Sequence, residues 1–84
     1  MSMPTVLREQ GFQFYFYSHE TTEPPHVHVD KGGSSCKFWL SPVSLAKNYG
    51  YSEVELNRIR DIILEKQSFL ASKWHEYFNR HKNG

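Results

Sequence analysis

Two periodicities divide the chain, and together they leave few folds open. Between Phe12 and Leu40 apolar side chains recur at every second residue: Phe12, Phe14 and Phe16, then Val27 and Val29, then Cys36, Phe38 and Leu40. Alternation of this kind marks strands with one buried face. Beyond Ser52 the spacing changes to threes and fours, with Leu56, Ile59, Ile63, Leu70, Trp74 and Tyr77 on one stripe. That is the period of a helix with one apolar side. Three apolar strand faces and one apolar helix stripe can bury each other. The expected fold is therefore α+β: an antiparallel meander of four or five strands, then a C-terminal helix packed on one sheet face.

The punctuation between these segments sets the element boundaries. Thr5 to Glu9 reads as a short strand, Gln10-Gly11 as a turn and Phe12 to Tyr17 as the strongest strand. Ser18 to Pro25 is a polar loop closed by two prolines, which bias the chain toward extended geometry. His26 to Asp30 is the third strand, Lys31 to Ser34 a turn and Ser35 to Leu40 the fourth strand. Ser41-Pro42 opens either a short helix through Ala46 or a fifth strand from Val43 to Asn48, and the strand is preferred. Ser52 and Glu55 have the spacing of a capping box. Residues 52–79 read as helix, continuous or broken near Lys66 to Ser68, with Glu53 and Glu55 at its start and Arg80 and Lys82 at its end matching the helix dipole. A single domain over residues 3–80, with a tail at 81–84, accounts for the chain.

Composition narrows the functional classes. With 84 residues the core is thin, and an aromatic content of 15% helps to fill it. A net charge of +1 gives no polybasic signature of a tight duplex binder. The single cysteine, Cys36, cannot form an internal disulfide, which fits a reducing cytoplasm. It reads as a small buried hydrophobe. No apolar run approaches the roughly 20 residues of a membrane span. No signal-peptide pattern opens the chain, so a cytoplasmic location is expected. Gly32-Gly33 lacks the strand and helix that flank a phosphate-binding loop, and no cofactor is expected.

Chemistry concentrates on the face that alternation turns away from the core. The segment Pro24-Pro25-His26-Val27-His28-Val29-Asp30 sends His26, His28 and Asp30 to that side. The neighbouring strands add Gln13, Tyr15, Tyr17, Lys37 and Trp39. Rings and cations on an open sheet resemble the surfaces on which single-stranded nucleic acids stack. The same rings suit a subunit interface. Trp74 fits the buried stripe, whereas His75, His81, Arg58, Arg60, Lys66 and Lys73 read as a solvated helix surface or as groups near the helix end.

Several segments together resemble one family. Met3-Pro4-Thr5-Val6, Gly11-Phe12, Glu23-Pro24-Pro25-His26-Val27-His28-Val29, Lys37-Phe38-Trp39-Leu40 and Trp74-His75 resemble the small bacterial domain of unknown function numbered 4160. The resemblance runs from Met3 to about Phe78, and Pro-Pro-His-Val-His is its most specific mark. It implies a stand-alone bacterial protein, often encoded beside a second small protein in a toxin–antitoxin-like pair. It implies no established reaction.

The leading expectation is thus a small cytoplasmic component of such a pair. It would act through contact with a second copy or the neighbouring protein, and through RNA bound by Tyr15, Tyr17, Trp39 and Asp30. One alternative is metal-independent RNA cleavage, in which His26 and His28 exchange protons and Lys37 stabilises the phosphorane. Another is a metal-binding regulator with His26 and His28 as ligands and His19, Glu23 or Asp30 as a third group. Two histidines alone are a weak metal signal, so no metal is the default expectation.

Overall fold

The computed structural model describes residues 5–17 and 22–83, with side chains through Asn79. Met3 and Pro4 of the family resemblance, His19, and the side chains of Arg80, His81 and Lys82 lie outside the described residues. Five strands, β1 (Thr5–Glu9), β2 (Phe12–Tyr15), β3 (His26–Lys31), β4 (Ser34–Leu40) and β5 (Val43–Tyr49), form one antiparallel sheet in the order β1-β2-β3-β4-β5. Two helices, α1 (Glu53–Glu65) and α2 (Gln67–Asn83), follow it. The meander and its five strands match the sequence expectation, and Val43 onward is strand rather than helix.

The inner face carries the core. Phe12, Phe14, Phe16, Val27, Val29, Cys36, Phe38 and Leu40 are all buried, together with Ile59, Ile62, Ile63, Leu70, Trp74 and Phe78 from the helices. Burying a large apolar side chain contributes about 1.5–3 kcal/mol, so this cluster is the main stabilising term. The stripe is slightly wider than the sequence reading. Ile62 and Phe78 join it fully, while Leu56 and Tyr77 are only half-buried. Phe16 leaves the β-ladder but keeps its parity, packing its ring 5.5 Å from Trp74 and 6.3 Å from Phe78.

The helical segment is two helices, broken at Lys66 where the sequence reading left a break open. Ser52 caps α1: its hydroxyl accepts the Glu55 N–H, and the Glu55 carboxylate accepts the Ser52 N–H at 3.0 Å. That hydrogen bond holds the Glu55 carboxyl below its ordinary value. Lys66 interrupts the helical run at φ −104° and ψ 17°. Gln67 then donates its side-chain amide to the Leu40 carbonyl, which ties the start of α2 to the end of β4. The break at Lys66 divides the segment into two helices, and α2 continues past the expected end near Asn79.

A sharp joint connects sheet to helix. Gly50 has φ +105°, and a Cβ there would stand 2.8 Å from the Ser34 hydroxyl oxygen, so glycine is required. The Asn48 side chain accepts the Tyr51 N–H and donates to the Tyr51 carbonyl, each at 3.0 Å. Tyr51 then enters the core edge-on to Phe12, and its hydroxyl donates to the Val29 carbonyl at 3.2 Å.

The helix packing yields a contrast between sequence neighbours. Ile63 is fully buried and Leu64 is 51% exposed. Ile63→Ala is expected to cost about 2–5 kcal/mol, whereas Leu64→Ala stays within about 0.5 kcal/mol. Urea denaturation of the two variants checks this, and equal losses would contradict the helix orientation.

Candidate functional site

The strand register arranges the outer face in rows that cross the sheet. One row runs Thr5, Tyr15, His28, Lys37, Lys47; the next runs Arg8, Gln13, Asp30, Ser35, Tyr49; His26, Trp39 and Ser44 share a third. Residues directly opposite on antiparallel strands share a face. His26, His28, Asp30, Tyr15, Lys37 and Trp39 therefore have the parity expected of them. Parity alone does not make them available.

His26 is the clearest correction. It was expected to be accessible, yet it is fully buried. Its Nδ1–H donates to the Pro24 carbonyl at 2.9 Å, and its ring lies 4.9 Å from Trp74 and 5.7 Å from Trp39. Trp74 belongs to α2, so the helix reaches this corner of the sheet and closes it over the histidine. The Pro25 carbonyl accepts from the Leu40 N–H and the Pro24 carbonyl from the imidazole.

Lys37 is likewise committed. Its ammonium donates to the Glu23 carboxylate and sits 4.6 Å from the centre of the Trp39 ring. The side chain is only 11% exposed. The same Glu23 oxygen lies 3.8 Å from His26 Nδ1. The cation expected to meet a phosphate is thus neutralised by the loop that precedes β3.

Tyr15 was expected on the open surface and is buried instead. Its ring stacks at 5.4 Å on His28 and meets Tyr17 edge-on at 5.5 Å. Its hydroxyl donates to Asp30 at 2.9 Å. Burial first, then the Asp30 hydrogen bond, pushes the phenol well above its ordinary range, so it stays a donor. His28 and Tyr17 are half-buried, with ring centres 4.4 Å apart.

The exposed outer-face residues include two that sequence reasoning missed. Lys47 and Tyr49 on β5 are exposed, Tyr49 to 60%. Strict alternation would send them to the same side as Val43 and Leu45. The ladder instead jumps from Lys37↔Lys47 to Phe38↔Leu45, so Ala46 is an extra residue in a β-bulge. The bulge changes the parity of β5 and brings Lys47 and Tyr49 to the outer face. The apolar spacing of Val43 and Leu45 followed by Lys47 was the available sequence signal, since unbroken alternation would set the lysine on the inner side, opposite Cys36. A concavity of about 270 Å³ opens here, lined by Tyr15, Tyr17, Glu23, His28, Lys37, Lys47 and Tyr49 together with Ser35 and Cys36.

Among the described residues, no three His, Cys, Asp or Glu side chains gather as a metal site. Cys36 is buried with the inner-face residues. Burial, with a smaller contribution from Asp30, pushes its thiol up to about 12, so it is no nucleophile near neutrality. The pair of accessible proton-transfer groups needed for RNA cleavage is not assembled by His26 and His28. What remains is a cation without an ion pair among the described residues, a widely exposed ring, and a half-buried imidazole packed between tyrosines.

Residues 11–75 match a family described as a domain of unknown function (DUF4160), and the chain belongs to that family. Neither the curated proteins nor the solved structures compared with the chain gave a match. No described helix is long and apolar enough to cross a membrane.

Two outcomes follow from these environments. His26→Ala empties a buried site and strands the Pro24 carbonyl, so a loss of about 1–3 kcal/mol is expected, larger than for His28→Ala; chemical denaturation ranks the two. The second concerns alkaline pH. A thiol raised in the folded state from about 9 to about 12 contributes stability that is complete below pH 9 and is lost as pH rises toward 12. Cys36→Ala is therefore expected to flatten the fall in stability over that window, leaving the shares of Tyr15 and Tyr51, which burial also raises. Melting temperatures measured at several alkaline pH values test this, and an unchanged slope would refute it.

Proposed function

We propose that this chain is a binding module that takes single-stranded RNA on the outer face of its sheet. The observation that carries this is the placement of Lys47 and Tyr49. The β5 bulge sets an ammonium with no ion partner among the described residues beside a ring exposed to 60%, at the mouth of the concavity. A ring offers a base its face and an ammonium offers a phosphate its charge, which is the pairing used for single strands. Compact tyrosine and histidine packing behind them keeps the surface shaped before a ligand arrives. A two-histidine ribonuclease fits less well, because His26 is buried with Nδ1 engaged and Lys37 is held by Glu23.

The family resemblance supplies a setting for this activity. The protein would be a small bacterial, cytoplasmic component of a toxin–antitoxin-like pair. Contact with the neighbouring protein or with a second copy would then control access to the RNA-binding face.

Fluorescence anisotropy with a labelled, mixed-sequence single-stranded RNA tests the activity. Tyr49→Ala is expected to weaken binding about tenfold, since stacking contributes about 1–3 kcal/mol per base. Lys47→Ala should lower the slope of log K against log salt by about 0.7, the share of one phosphate contact. Binding that ignores both substitutions, or no binding at all, would overturn the proposal.

A further inference from the structure

The ion pair of Glu23 and Lys37 sets how much positive charge a ligand meets beside Lys47. Lys37 and Lys47 stand directly opposite each other on β4 and β5. Residues paired in this way have Cβ atoms about 5 Å apart on one face. Two ammonium groups side by side would make a strong anion site. Glu23 lines the same concavity, and its carboxylate accepts from one of the two, Lys37.

The backbone around Glu23 is built to keep the carboxylate there. Pro24 biases the residue before it toward extended geometry. The Pro24 carbonyl accepts from the His26 ring and the Pro25 carbonyl from the Leu40 N–H, so the two residues after Glu23 are fastened to β3 and β4. The ammonium is placed from its other side by the Trp39 ring, whose centre lies 4.6 Å away. The glutamate side chain is 38% exposed and the lysine side chain 11%. An incoming ligand therefore meets the anion of the pair before the cation.

We infer that Glu23 is a specificity-determining residue of the binding face proposed above, on which this inference rests: it selects anions that carry planar rings over anions that do not. A phosphate drawn to Lys47 approaches the Glu23 carboxylate as well, and Lys37 does not serve as a second phosphate contact while Glu23 holds it. Charge alone then binds weakly, and a ligand gains its affinity by stacking a ring on the exposed Tyr49. Discrimination of this kind rests on repelling the wrong partner as much as on attracting the right one. The favoured class is a nucleotide chain with an unstacked base beside its phosphate. The class turned away is a ring-free polyanion such as inorganic polyphosphate.

Glu23→Gln tests this, because the amide keeps the shape of the carboxylate and still accepts a hydrogen bond but carries no charge. Labelled, mixed-sequence single-stranded RNA is titrated against the whole chain, and inorganic tripolyphosphate is then used to compete it off. The variant is expected to bind RNA several-fold more tightly and to raise the salt slope by about 0.7, the share of one added phosphate on a single strand. Tripolyphosphate should compete poorly against the wild type. In the variant it should gain more than RNA does, since its charge is concentrated in the concavity while that of RNA is spread along the chain. The double variant Glu23→Gln with Lys37→Met removes both charges of the pair and keeps an apolar stem against Trp39. It should return the slope and the tripolyphosphate competition to wild-type values, which separates a charge effect from a loosened loop. Urea denaturation checks that each variant is folded under the binding conditions. A folded Glu23→Gln with unchanged RNA affinity and tripolyphosphate competition, while RNA binding still depends on Lys47 and Tyr49, would overturn the role of Glu23 alone. So would a gain that persists in the double variant, or a Glu23→Gln chain that no longer folds, since the pair would then be scaffold. Absence of RNA binding in the wild type would overturn the face and this inference together.

Discussion

The burial of the apolar side chains on the inner face of β2, β3 and β4 governs everything else in this molecule. Eight side chains from β2 to β4 and the residue after β2 lie against six from two short helices, and little else in the chain is buried. In so small a domain that contact supplies most of the driving force. It also fixes register, because a one-residue slip would carry the phenylalanines and valines into water. The outer face is therefore set by what the inner face requires.

Both edges of the open sheet carry a local irregularity. β1 skips Val6 between its pairs with Tyr15 and Phe14, and β5 skips Ala46. Bulges twist an edge away from regular pairing and discourage indiscriminate strand addition. On β5 the same device has a chemical consequence, since it turns a lysine and a tyrosine outward. One inserted residue thus protects an edge and composes the most open part of the candidate site.

The corner where Pro24-Pro25 enters β3 shows how stability and availability compete for polar groups. His26, Lys37 and Asp30 all share the parity of a functional face, and each is engaged by the protein itself. Trp74 ties that corner to the core by touching His26, Phe16 and Phe78. Held in this way, the corner engages its own polar groups, and the exposed side chains lie farther out, with Lys47 and Tyr49 on β5.

Much of this architecture was legible before any coordinates. Alternation in residues 12–40, helical spacing after Ser52 and the Ser52–Glu55 cap are local properties, and local periodicity is what decides which face of an element is apolar. They gave the α+β class, the meander and the inner-face residues, while the family was carried by specific segments such as Pro24-Pro25-His26-Val27-His28. Availability is not local. Whether His26 meets solvent depends on Trp74, far along the chain, and whether Lys37 is a usable cation depends on Glu23 in a preceding loop. The facing of Lys47 and Tyr49 depends on a bulge that lets β5 keep Val43 and Leu45 opposite Leu40 and Phe38 while Lys47 and Tyr49 pair with Lys37 and Ser35. Sequence determined which side chains share a face; only the packing of distant segments against that face decided which of them remain open to a ligand.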